Sequence, residues 1–206
     1  MPAEDRPQIY LITPPAFDLD TFPDRLAAVL DGTEIACLRL ALAGRDPDPI
    51  ARAADALRAV AHARDVAIVI ESHALLVPKL GLDGVHLTDG ARSVRAMRKE
   101  LGADAIIGAA CGITRHEGIG AAEAGADYVS FGPVGETGLG DGKQAEAELF
   151  DWWSEMIEVP VVAEGGLTAD LVARLGPVSD FLAVGEEIWA TEQPLASLAR
   201  LLAPLG

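Results

Sequence analysis

Aromatic residues are scarce, at 5% of the 206-residue chain. The core therefore has to be packed from aliphatic side chains and alanine. Cysteine is scarcer still: Cys37 and Cys111 are the two in the chain, far apart and without metal-ligand spacing. That argues against a disulfide framework or zinc module and for a reducing compartment. Positive charge is also short, with 16 Lys and Arg against 32 Asp and Glu, a net charge of −16. A field of that sign repels phosphodiester backbones and excludes general nucleic-acid binding, yet it leaves room for a local cationic site. No apolar run approaches the roughly eighteen residues of a membrane span, and the opening Met1-Pro-Ala-Glu-Asp-Arg-Pro has no signal-peptide character. The expectation is a cytoplasmic, single-domain protein spanning residues 1–206, with no nucleic-acid or membrane partner.

What is present is apolar content, 50% of the chain, arranged as short runs alternating with helical patterns. The runs Gln8 to Thr13, Ile35 to Leu40, Ala67 to Ile70, Gly84 to Leu87, Ala105 to Ala109, Tyr128 to Phe131, Val159 to Ala163 and Phe181 to Val184 predict eight strands. Between and after them lie helical patterns: Phe22 to Leu30, Asp48 to Ala63, Ala74 to Leu80, Ser93 to Leu101, His116 to Ala124, Ala145 to Ile157, Thr168 to Leu175 and Gln193 to Leu202. Continuous apolar strands imply burial on both faces, as in a parallel sheet covered by helices. One strand–helix unit in about 26 residues is close to the size of a βαβ unit. The fold class is thus α/β, a single (β/α)8 TIM barrel. A doubly wound open sheet is the rival, but Ile12-Thr13-Pro14-Pro15 occupies the turn where a glycine-rich fingerprint would sit.

A barrel carries its site at the carboxyl ends of its strands, which selects the residues just past each apolar run. Gly165-Gly166 and Gly185 follow the last two strands, where backbone N–H groups can approach a phosphate or simply turn tightly. Gly132 and the loop from Thr137 to Lys143 can fold over the same mouth, with Lys143 as counter-charge or as a solvated lysine. Arg39 is a lone base in an apolar run, and needs an anion: a ligand, or Glu71 next door. Glu71 and Glu164 are candidate general acids or bases, and His73 and His116 candidate proton carriers. His86, in Gly-Val-His-Leu, reads as a satisfied inward histidine.

The motifs Tyr10-Leu11-Ile12-Thr13, Asp83-Gly84-Val85-His86-Leu87, Gly125-Ala126-Asp127-Tyr128-Val129, Gly132-Pro133 and Val159-Pro160-Val161-Val162-Ala163 with Gly165-Gly166 follow in order. In that order and spacing the chain resembles the thiamine-phosphate synthase/TenI family over nearly its full length. The resemblance implies a barrel of thiamin biosynthesis, a homodimer in many members, that acts on or binds thiazole phosphate or a thiamin-like ligand. Synthases of the family join a pyrimidine diphosphate to a thiazole phosphate with Mg²⁺ and release diphosphate; the TenI branch isomerises a thiazole carboxylate phosphate. Taken with the strand-end positions, Arg39, Gly132, Thr137, Lys143, Gly165, Gly166, Gly185 and Glu186 are the candidate substrate and phosphate site. Residue types alone give no certain cofactor and no metal ligands.

The chain departs from the family pattern around this site. Cys37-Leu38-Arg39-Leu40-Ala41 keeps the arginine of Gln-x-Arg-x-Lys and loses the lysine. Glu71-Ser72 stands for Asn-Asp, and Thr88-Asp89-Gly90-Ala91 for Gly-Gln-(Asp/Glu)-Asp. Glu164 replaces an apolar residue, and Gly185-Glu186 replaces Ser-Ala, so that Glu186 is expected to stand in for a ligand phosphate at a helix amino terminus. Expelling diphosphate needs cationic help, and these exchanges remove part of it, so the expectation is a synthase-type transferase or TenI-type isomerase with a divergent site. The alternatives are a non-catalytic binder of a thiamin-like cation, or a different reaction on a cationic substrate.

Overall fold

The computed structural model describes residues 6–44, 46–137 and 142–206. Eight parallel strands close on themselves in chain order: β1 (Gln8–Ile12), β2 (Cys37–Leu40), β3 (Ala67–Glu71), β4 (Gly84–Leu87), β5 (Ile106–Ala110), β6 (Tyr128–Phe131), β7 (Val161–Glu164) and β8 (Phe181–Val184). The helices α1 (Phe22–Gly32), α2 (Pro47–His62), α3 (Leu76–Leu80), α4 (Val94–Leu101), α5 (Arg115–Ala124), α6 (Ala147–Met156) and α7 (Ala169–Leu175) connect them, and α8 (Glu186–Trp189) and α9 (Pro194–Leu202) follow β8. The predicted barrel is the one found. The four-residue helix α8 is the element the sequence reading lacked.

Successive strand side chains point to opposite faces, and the two faces form two distinct cores. The outward set (Leu11, Leu38, Leu40, Ile68, Ile70, Val85, Val129 and their like) packs under the helices. The inward set is smaller and more polar: Tyr10, Cys37, Val69, Tyr128, Val162 and Ala183 make one cluster inside the cylinder. Both tyrosines of the chain are therefore spent on the barrel interior.

The amino-terminal end is closed by a repeated device. Asp83, Asp127 and Asp180, each just before an even-numbered strand, accept the first free N–H of the preceding strand, at Ile68 (2.7 Å), Ile107 (2.6 Å) and Val161 (2.8 Å). Part of the acid surplus is thus structural, sitting at the end of the barrel opposite the mouth.

Candidate active site at the carboxyl mouth

Strand register brings Arg39 of β2 level with Val69 of β3, and Glu71 of β3 level with His86 of β4. All four lie on or near the upper layers of the interior, and Arg39 is the charge at their centre. Its side chain is only 7% exposed. A guanidinium so deep is tolerated only with partners, and it has them on every side. Nη1 is 2.6 Å from His86 Nε2, Nη2 is 2.9 Å from Glu164 Oε2, Nε is 3.6 Å from Glu71 Oε2, and Tyr10 presents its ring at 5.7 Å.

The hydrogen-bond directions follow from donor inventory. Arginine only donates, so His86 Nε2 accepts, and the neutral ring carries its proton on Nδ1. That proton goes to Tyr128 Oη at 2.9 Å, and the Tyr128 hydroxyl then donates to Tyr10 Oη at 2.6 Å. Burial, seconded by the Arg39 charge, pushes the His86 pKa well below its usual value, consistent with a permanently neutral ring. Burial likewise raises both phenols and pushes the Cys37 thiol up to about 12. Burial works against the charge of Arg39 too, but Glu164, the phenols and Glu71 outweigh it, and the guanidinium stays protonated.

The opposite edge of Arg39 is less well served. Arg39 Nε and Glu164 Oε2 are both buried, and among the described residues neither makes a hydrogen bond. Glu164 is thus close to Nη2 but badly aligned. Glu71 is shifted up, first by burial and further by Glu164, against the pull of Arg39 and His73. Burial thus disfavours the ionised form of Glu71.

The glycines serve close packing between loops. Gly165 and Gly166 both adopt left-handed backbone, φ 85° and 73°. Val134 N–H donates to the Gly165 carbonyl at 3.0 Å and Gly135 N–H at 2.9 Å, laying the loop after β6 on the turn after β7. A Cβ on Gly132 would fall 2.3 Å from the Glu164 carbonyl oxygen. Beyond β8, the carboxylate on the backbone amides belongs to Glu187 and not to Glu186. Glu187 accepts from Gly185 N–H at 2.8 Å and from Leu167 N–H at 3.1 Å, tying the turns after β7 and β8 together. The carboxylate that caps this turn is therefore one residue further on than the one expected.

Glu186 is exposed and lines a neighbouring cavity of about 840 Å³ with Phe17, Arg25, Thr137 and Trp189. The structure therefore brings Arg39, Glu71, Glu164 and Gly132 together, with His73 near Glu71. Thr137 and Glu186 sit at the adjoining cavity. His116 is exposed on the first turn of α5, and Lys143 is exposed before α6; residues 138–141 of the predicted loop, and 1–5 of the amino terminus, lie outside the described residues. Tyr10, Tyr128 and Glu187 were not among the predicted site residues. Gly108, mid-strand in β5, was their one sequence signal: a Cβ there would lie 2.0 Å from the Tyr128 ring, and a glycine inside a strand marks such an approach.

The donor set does not fit the Mg²⁺ that the resemblance implied. Among the described residues no group of three His, Cys, Asp or Glu could hold a metal. Glu71 and Glu164 both face the fixed positive charge of Arg39, and Asp89 accepts from Ser93 Oγ at 2.6 Å. Ser72, where the pattern has a carboxylate, pairs with Thr88 through hydroxyls at 3.1 Å.

Residues 9–187 match the family model described as thiamine monophosphate synthase. The thiamine-phosphate synthase of Rhodospirillum centenum is 44% identical over 186 residues, 88% of this chain and 89% of that protein. That of Erythrobacter litoralis is 38% identical over 198 residues, covering 92% and 91%. Among solved structures, thiamine phosphate pyrophosphorylase from Pyrococcus furiosus superimposes with a TM-score of 0.81 at 21% identity, covering 95% of this chain and 93% of that one.

Proposed function

Because the chain belongs to the thiamine monophosphate synthase family, we propose that it acts in thiamin biosynthesis as a thiamine-phosphate-synthase-type transferase, with its substrates held at the carboxyl mouth around Arg39. The curated relatives, matched over most of their length, carry that activity in their names. The observation that carries the reading here is the placement of Arg39: a buried, permanently charged guanidinium fixed at the mouth by His86.

Joining a pyrimidine diphosphate to a thiazole phosphate with loss of diphosphate leaves negative charge on the departing oxygens and positive charge on the pyrimidine. A preorganised cation in a low-dielectric site stabilises the first without reorganising, and that is the role of Arg39. Glu71, beside it, faces the second. Glu71 is also the group suited to move a proton, because its ionised form is disfavoured by burial. The turns at Gly165-Gly166 and Gly185 hold the ends of β7 and β8 in place and border the mouth.

Purified protein given thiazole phosphate and pyrimidine diphosphate, with and without Mg²⁺ or Mn²⁺, tests the reading: thiamin phosphate should form, and its absence under all these conditions rejects the synthase. A second reading is favoured by one observation. Two carboxylates face a single guanidinium, so the mouth as built is net negative, which suits a binder of a thiamin-like cation. Calorimetry with thiamin, its phosphate, the free thiazole and thiazole phosphate separates the two: a synthase should prefer thiazole phosphate to free thiamin, and a binder of the cation should show the reverse.

A further inference from the structure

The Arg39 guanidinium presents two edges to its surroundings. One, at Nη1, is committed to His86 and through it to Tyr128 and Tyr10. The other, Nε with Nη2, is the fork that matches two oxygens of a carboxylate or phosphate at once. In this chain that fork is covered but not satisfied. Glu164 approaches Nη2 alone, off-axis, and Glu71 stands 3.6 Å from Nε, beyond hydrogen-bond reach. The side chain is nevertheless 7% exposed, so Nε is a buried donor without an acceptor among the described residues.

We propose that Glu164 is a displaceable internal counter-ion on the oxyanion-binding edge of Arg39, and that it decides which anions the mouth admits. The inference rests on the reading of Arg39 as the leaving-group anchor, and adds the reason for the acid beside it. Glu164 neutralises the buried guanidinium when no ligand is present, at the cost of leaving Nε unpaired. A ligand anion has to remove it. One that fills Nε and Nη2 together, with enough charge to offset the loss of the carboxylate, does so; a single weakly charged oxyanion does not. Diphosphate groups are thereby favoured over monophosphates at this position. The side chain has somewhere to sit because residue 132 is glycine, whose missing Cβ would have come within 3.0 Å of Glu164 Cγ.

Calorimetry of the full chain with inorganic diphosphate, and with inorganic phosphate, tests this in wild type, Glu164→Gln and Glu71→Gln. Glu164→Gln should bind diphosphate about tenfold or more tightly than wild type, and should admit phosphate as well. Glu71→Gln, further from the fork, should change diphosphate affinity by less than about threefold. Glu164→Ile, which removes charge and acceptors together, should move affinity in the same direction and guards against an effect peculiar to the amide. Equal affinities in wild type and Glu164→Gln, or no binding by a Glu164→Gln protein whose thermal unfolding matches wild type, overturn the inference. The transferase reading fails separately, when wild type makes no thiamin phosphate although Glu164→Gln binds diphosphate.

Discussion

Arg39 and His86 face each other across 2.6 Å inside the barrel, the guanidinium donating to Nε2 of a ring that is itself 1% exposed. The pair fixes two things at once: the plane of the cation at the mouth, and the tautomer of the imidazole beneath it. A protonated ring would place two donors and two charges against each other in a dry interior.

That exclusion makes stability pH-dependent with a definite sign. The folded His86 resists protonation while the unfolded one titrates near its usual value of 6.5. Below that pH the unfolded chain binds a proton that the native chain refuses, so stability is lost as pH falls. The slope contributed by one such group is at most about 1.4 kcal/mol per pH unit. Urea unfolding between pH 8 and pH 5 should show the decline, and His86→Asn should flatten it. An unchanged slope in a folded variant would mean that His86 is not held neutral.

Glu71 gives the opposite sign. Its carboxyl is raised in the fold, by burial and then by Glu164 over the opposing pull of Arg39, so the ionised form is worse off folded than unfolded. Stability therefore falls as pH rises from the unfolded carboxylate value through the folded one, and the loss persists at pH 7. Glu71→Gln should melt at or above the wild-type temperature at pH 7, with the difference shrinking towards pH 4. A clear loss of melting temperature at pH 7 would show that the attraction to Arg39 outweighs desolvation.

Gly108 is required by Tyr128. A methyl at Gly108 would lie 2.0 Å from ring carbon Cζ and 2.3 Å from Oη, displacing the hydroxyl that links His86 to Tyr10. Gly108→Ala should cost about 3 kcal/mol, the upper end of ordinary overpacking, and lower the melting temperature by roughly 6–12 °C for a chain of this size. Gly120→Ala is the contrast. It sits inside α5 with its nearest neighbour at 3.5 Å, and should be neutral or stabilise by up to about 1 kcal/mol. Differential scanning calorimetry of both variants decides it; equal melting temperatures would contradict the packing described.

The barrel was legible because its strands are buried on both faces and read as predominantly apolar runs, with Arg39 the one charge in Cys37–Leu40 and Ser130 the one small polar residue in Tyr128–Phe131. The cluster of Arg39, Glu71 and Glu164 was legible for a related reason: Arg39 is a charge within such a run, and Glu71 and Glu164 end theirs. The partners of Arg39 were harder to see. Tyr10 and Tyr128 are 118 residues apart, and their meeting depends on strand closure and on the empty space at Gly108. Glu186 and Glu187 differ by one position on a four-residue helix, and only the direction of that turn decides which carboxylate reaches the Gly185 and Leu167 amides. His116 stood near strand five in sequence, but the first turn of α5 holds it in solvent.

The central claim is that the ligand-facing edge of Arg39 is screened by Glu164 and is opened by an oxyanion. A crystal structure of the wild-type chain with inorganic diphosphate addresses it most directly. The account predicts diphosphate oxygens on both Nε and Nη2 of Arg39, the Glu164 carboxylate turned away, and the bond from Nη1 to His86 unchanged. Diphosphate bound elsewhere in the mouth, with Arg39 and Glu164 still paired, would contradict it.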